Sequence, residues 1–158
     1  MEAQMSLERA EKYLEERGFA DRIILFDVSS ATVALAAQAL GCEECRIAKT
    51  LSFDQDGKTV LVVAAGDARI DNHKYKETFH VKARMLPASE AEERTGHAVG
   101  GVCPFGVKDG VSIFLDLSLK RFDTVYPAAG TSSSAVRLSP AELEGLLPEA
   151  SWIDVCKS

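Results

Sequence analysis

Four cysteines in 158 residues are too few for a disulfide scaffold. No apolar run near the N-terminus extends beyond residues 23–26, far short of a secretion-signal core. No stretch approaches the roughly 18 consecutive apolar residues of a membrane span. A cytoplasmic protein with reduced thiols and no membrane partner is the expectation. Positive charge is also scarce: 18 Lys and Arg stand against 24 Asp and Glu, a net charge of −6 with a pI near 5.1. At face value that balance argues against nucleic acid, since phosphate binding needs clustered cations. The three histidines do not pair with one another or with cysteine at ligand spacing, so no metal site is expected. The chain also lacks a GxGxxG fingerprint and the Gly-Lys-Ser/Thr ending of a P-loop, and no cofactor is expected.

What is present is an ordinary globular composition: 46% hydrophobic, 27% charged and a mean hydropathy of −0.03. Without a linker, a low-complexity tract or a repeat, residues 1–158 read as one domain. Residues 6–17 carry Leu7, Ala10, Tyr13 and Leu14 on one helical face, with Ser6 as cap and Gly18 as stop. Residues 31–40 read as a second helix capped by Ser30 and closed by Gly41, after a strand at 23–28. Two apolar strands, 47–53 and 59–65, flank Asp56-Gly57, a hairpin signal. Further on come a short helix at 71–79, a strand at 81–86, and a helix to about Thr95 with capping-box spacing at Ser89 and Glu92. Strands at 111–115, 124–128, 135–138 and 152–155 surround a helix opened by Ser139-Pro140-Ala141-Glu142, a second capping box with proline at its first position. Interleaved helices and tight strand turns predict an α/β (α+β) fold: a mixed, partly closed, barrel-like sheet surrounded by helices.

Four features bear on chemistry. Gly100-Gly101-Val102-Cys103-Pro104-Phe105-Gly106 holds three glycines, which let a backbone approach a ligand and present its N–H groups to a phosphate or an oxyanion. A structural loop is the competing reading. Lys49 lies in an apolar strand, and alternation places it beside Ile47 and Leu51 on one face. It is either a functional cation or a stem snorkelling at a strand end. Cys42-Glu43-Glu44-Cys45 has the spacing of half a zinc site or a redox pair, but no second half follows. Cys103 and His97 are close enough in sequence for a thiol–imidazole pair, although no third, orienting group can be named.

Several segments together resemble the YbaK/EbsC family, whose fold is shared with the editing domain of prolyl-tRNA synthetase. They are Ala39-Leu40-Gly41, Arg46-Ile47-Ala48-Lys49-Thr50-Leu51, Val62-Val63-Ala64-Ala65-Gly66-Asp67, Thr95-Gly96, the loop from Gly100 to Gly106, and Ala128-Ala129-Gly130. The resemblance spans roughly residues 25–140 and implies a hydrolase that removes a wrong amino acid from tRNA, a tRNA(Pro)-type substrate being expected. The family's functional lysine falls on Lys49 and its GxxxP loop on residues 100–104. Lys49, Gly100 and Gly101 are thereby expected to be catalytic. Thr50, Val102, Cys103, Pro104 and Gly130 are expected to bind substrate. The implied partners are the 3′ end of mischarged tRNA and an aminoacyl-tRNA synthetase such as prolyl-tRNA synthetase. A non-catalytic tRNA- or synthetase-binding module of the same fold is the alternative. One departure stands out: some relatives carry an acidic residue at a position that aligns near Ala135.

The resemblance also changes what the acidity means. Residues 69–84 hold five basic residues against two acidic ones, with His73 and His80 among them. That surplus could flank the pocket, or be a solvated face. A weak, local, salt-sensitive contact with a tRNA end is compatible with both.

Overall fold

The computed structural model describes residues 2–26, 32–97 and 101–157. The central element is a hairpin, β2 (Ile47–Gln55) and β3 (Lys58–Ala65), paired antiparallel from Ala48↔Ala65 to Gln55↔Lys58. Its two-residue loop is the Asp56-Gly57 anticipated from sequence, with φ of 53° and 92°. Left-handed angles at both positions match the twist of the flanking strands, and glycine adopts them without steric cost. β3 is apolar almost throughout because it is covered on both faces: Leu61, Val62, Val63, Ala64 and Ala65 have no exposed surface. Such continuous burial is the signature of a central strand.

The remaining strands are β1 (Ile23–Leu25), β4 (Arg69–Ile70), β5 (Ser112–Asp116), β6 (Tyr126–Pro127), β7 (Ser134–Val136), β8 (Ser151–Ile153) and β9 (Cys156–Lys157). The main sheet has the order β6-β2-β3-β5-β8, and two ribbons, β1-β7 and β4-β9, stand beside it. Every pairing in the main sheet except β2-β3 is parallel. The fold is thus the mixed α/β class expected, with a curled, half-barrel sheet. Five α-helices surround it among the described residues: α1 (Glu2–Glu16), α2 (Val33–Leu40), α3 (Asn72–Phe79), α4 (Ala88–Thr95) and α5 (Pro140–Leu146). None of the described helices is long and apolar enough to cross a membrane.

Local chemistry accounts for most of the boundaries. The Ser139 hydroxyl accepts from the Glu142 N–H at 3.0 Å, and the Glu142 carboxylate accepts from the Ser139 N–H at 2.9 Å, completing the capping box that opens α5. Asp71 caps α3 by accepting from the N–H groups of His73 and Lys74. Four boundaries differ from expectation. Helix α1 begins at Glu2, and Ser6 is a buried residue within it rather than its cap. Helix α2 is capped by Thr32, whose hydroxyl accepts from the Leu35 N–H, and Ser30 lies outside the described residues. Ser89 is not a cap either: Pro87 holds the N-cap position of α4 with no side-chain bond, because its extended backbone already ends the preceding segment. Residues 81–86 make no strand. They touch β2 through one bridge, Phe53↔Met85, because the turn after α3 and Pro87 leave room for no longer ladder.

Candidate functional site

A cavity of about 240 Å³ is lined by all six residues 47–52 of β2 together with Phe26, Val102, Tyr126, Ala128, Thr131, Ser134 and Ala135, and α2 with its cap Thr32 and Met85 supply the rest. Consecutive strand residues point to opposite faces. A cavity touching six in a row therefore runs along the strand's edge. The hydrogen-bond ladder explains why that edge is open. β6 covers it only at Ile47 and Ala48. Beyond, the Asp54 N–H donates to Arg84 O and Ser52 O accepts from the Leu86 N–H. Between those two coverings lies Thr50.

Lys49, Thr50 and Val102 line this cavity. The half-buried Lys49 ammonium donates to Gly66 O at 3.4 Å and also to Ala68 O. Both acceptors belong to the turn after β3 and do not line the cavity. An ammonium carries three donors, so one remains uncommitted among the described residues. Burial pulls the Lys49 pKa below its ordinary value, with the neighbouring Arg69 charge adding to the effect and Cys156 and Asp67 opposing it. The Thr50 hydroxyl is buried and has no hydrogen-bond partner among the described residues. An unsatisfied buried hydroxyl costs about 1–3 kcal/mol, so its presence at a cavity wall points to a polar group that enters from outside.

The other expected site residues are placed differently. Gly101 and Gly130 stand behind the cavity, packed on each other: a Cβ on Gly101 would lie 2.5 Å from Thr131 Cα and closer still to the Gly130 carbonyl. Gly130 adopts φ of 97°, and a Cβ there would meet the Ser6 backbone of α1. Both glycines are required by close approach, in which role a side chain has no room. Gly100 lies outside the described residues. Pro104 lines a second cavity of about 540 Å³, bordered also by Tyr13, Arg17 and Lys108. Cys103 is wholly buried in the core.

Cys103 and His97 do meet, at 3.6 Å between Sγ and Nε2, yet they are no nucleophile–base pair. His97 Nε2 lies 2.6 Å from Phe105 O, and a carbonyl only accepts, so Nε2 carries the proton. His97 Nδ1 then accepts from the Ser6 hydroxyl at 2.7 Å. The nitrogen that faces the thiol is a donor and cannot take its proton. Burial lowers the His97 pKa to about 4 and raises the Cys103 thiol to about 12, so both are neutral near pH 7. Their role is structural: His97 ties α1 to the glycine-rich loop.

That role has a pH consequence. The folded-state pKa of His97 is depressed from 6.5 to about 4, so below pH 6.5 the unfolded chain binds the extra proton. Stability is therefore full above pH 6.5 and declines as pH falls toward 4. The difference is about 3 kcal/mol. His97→Gln is expected to flatten that part of a urea-denaturation profile between pH 7 and 4. An unchanged slope in the variant would rule His97 out as its source.

Among the described residues, none of the Asp, Glu, His or Cys side chains lines the first cavity. Ala135 does line it, so the position where some relatives carry an acid is an apolar wall here. No residue in 69–84 lines it. Those cations lie instead on a largely exposed face, where Lys74 pairs with Asp154 and His73 with Glu77. Cys42 and Cys45 are half-exposed free thiols beside the end of α2. No group of three potential metal ligands occurs among the described residues. Sequence reasoning missed Tyr126, Thr131 and Ser134 in the cavity wall. Thr131 and Ser134 were visible as the ends of the hydroxyl run Thr-Ser-Ser-Ser, whose side chains bond each other at 2.9 Å.

The protein is thus of the mixed α/β class, a half-barrel sheet with a cleft at the edge of its long hairpin that is lined by hydroxyls and Lys49. Residues 28–146 match the aminoacyl-tRNA editing domain, and the chain belongs to that family. It is 48% identical over 154 residues to YwhH of Bacillus subtilis, covering 97% of this chain and 98% of that one; that protein is uncharacterized. It is 29% identical over 112 residues, 70% of this chain and 68% of the relative, to EbsC of Enterococcus faecalis, a candidate Cys-tRNA(Pro)/Cys-tRNA(Cys) deacylase. A crystal structure of a candidate trans-editing enzyme for prolyl tRNA synthetase superposes with a TM-score of 0.87 at 32% identity, covering 97% of this chain and 98% of the other.

Proposed function

We propose that the chain acts as a single domain that hydrolyses the ester between a wrong amino acid and the terminal ribose of tRNA, in trans to a synthetase. A tRNA(Pro)-type substrate is the expected case. The observation that carries this reading is the cavity shared by Lys49, Thr50 and Val102 with its unpartnered hydroxyl. Water adds to the ester carbonyl, the tetrahedral oxyanion collapses, and the products are the free amino acid and the ribose hydroxyl. The free Lys49 N–H supports the negative charge, a contribution commonly worth about 3 kcal/mol. The Lys49 Nζ donates to two backbone carbonyls, so it acts as an electrostatic group rather than a base. With no acid or imidazole at the described wall, a hydroxyl, amine or thiol of the substrate takes the proton from water.

The test is a panel of tRNA(Pro) and cognate tRNAs charged with alanine, cysteine, serine, threonine and proline. Deacylation above the spontaneous rate for at least one mischarged species is expected. Binding without turnover across the panel would replace the enzyme by a tRNA-binding module.

A further inference from the structure

The edge of β2 is a hydrogen-bonding strand interrupted at one residue. In the hairpin, residues 49, 51, 53 and 55 exchange bonds with β3, while alternate residues turn their N–H and C=O outward. The outward bonds of Ser52 and Asp54 to the 84–86 segment fix that parity, so the N–H and C=O of Thr50 also point outward. Neither is bonded to a described residue, because β6 stops at Ala48↔Pro127 and the other covering begins at Phe53↔Met85. Both groups face the cavity that Thr50 lines, and its hydroxyl is the buried, unpartnered one. One residue thus presents a donor, an acceptor and an orphan hydroxyl to the same space.

We propose that this gap binds the main chain of the substrate amino acid as a one-residue strand. An α-aminoacyl ester has an amine and a carbonyl on the two sides of one carbon, the same spacing as the N–H and C=O of a strand residue. Paired with Thr50, its amine donates to Thr50 O and its carbonyl accepts from the Thr50 N–H. Strand addition of this kind draws affinity from main-chain bonds and leaves selectivity to side-chain pockets. The gap therefore reads "α-amino acid" as a class, and the surrounding wall reads which one. The Thr50 N–H becomes a second donor to the oxyanion beside Lys49. The amine in its neutral form keeps a lone pair free for the proton of the attacking water. The proposal rests on the deacylase reading and names the part of the substrate that the site holds.

The test uses the full chain and two stable analogues of the terminal nucleoside. One is 3′-amino-3′-deoxyadenosine acylated with L-alanine, the other the same nucleoside acylated with propionic acid, which lacks only the α-amine. Alanine is chosen because its side chain is minimal and the proposed contacts are to main chain. Binding of the alanyl analogue is expected to move the Thr50 amide proton downfield in NMR spectra, and the propionyl analogue to bind about tenfold more weakly, the worth of one such bond. Thr50→Val, which loses only the hydroxyl, is expected to weaken both and keep the tenfold preference. Thr50→Pro removes the outward N–H, which proline tolerates on a strand edge, and is expected to lose alanyl binding. Equal affinity for the two analogues, an unmoved Thr50 amide on binding, or no binding of the alanyl analogue would overturn the proposal, and the two ligands suffice if the proline variant does not fold. Analogue binding with an inactive tRNA panel would reject the deacylase reading while leaving the gap's specificity standing. An active panel with equal analogue affinities would do the reverse.

Discussion

Lys49→Met is expected to lower deacylation by about 10²–10³-fold, the usual cost of removing one donor from a developing oxyanion. Methionine keeps the unbranched stem and its packing, so the loss reports the ammonium. The magnitude follows from position. Two of the ammonium's three donors hold the turn after β3 through Gly66 O and Ala68 O, which fixes the charge before substrate arrives. Partial burial, already visible as the lowered pKa, weakens solvent screening of what the third donor does. At an effective dielectric near 20, a unit charge about 4 Å from another is worth roughly 4 kcal/mol. The variant also leaves two carbonyls without their donor, at about 1 kcal/mol each, so rates belong at a temperature well below its melting transition. Wild-type turnover in the folded variant would remove Lys49 from the chemistry and leave it as a brace for the turn.

Gly101→Ala is expected to destabilise the protein by about 3 kcal/mol, the upper part of the range for overpacking, and to lose activity beyond what unfolding explains. The added carbon would sit 2.5 Å from Thr131 Cα and against the Gly130 carbonyl. These are backbone atoms that cannot rotate away. Gly130 in turn cannot retreat, because it is pressed on the Ser6 backbone of α1. The loop must move instead, carrying Val102 off one wall of the cavity while Thr131 shifts on another. Gly145→Ala is the control. It lies in α5 with nothing within 4 Å of the new carbon and no left-handed backbone, so it is expected to stabilise by about 0.5–1 kcal/mol through helix propensity. A Gly101→Ala protein with wild-type stability and rate would show that the loop does not shape the cavity.

The places where sequence and structure part share a cause. The β2-β3 hairpin and the Ser139 capping box were legible because the turn of the one, closed at Gln55↔Lys58, and the whole of the other join residues only three apart. Ser6 and Ser89 had equally good local signals, and both failed as caps. Ser6 spends its hydroxyl on His97, 91 residues away, and Ser89 lost its place to Pro87. The pairing of Cys103 with His97 looked catalytic in sequence because proximity was all that could be read. Its inertness depends on which ring nitrogen meets Phe105 O and on complete burial, and neither is a local property.

By itself the sequence determined the fold class, the hairpin and the candidate lysine, and through ordered motifs it pointed to an editing-domain resemblance. Those follow from alternation, turn chemistry and short motifs, which act over a few residues. Tertiary structure alone decided that Thr50 stands in a break of the β2 edge, that Cys103 and Pro104 turn away from that cavity, and that the basic run of 69–84 lies elsewhere. Each depends on which distant segment covers a given strand edge or glycine. Coverage is settled by packing between elements far apart in the chain, so no single window of residues could contain it.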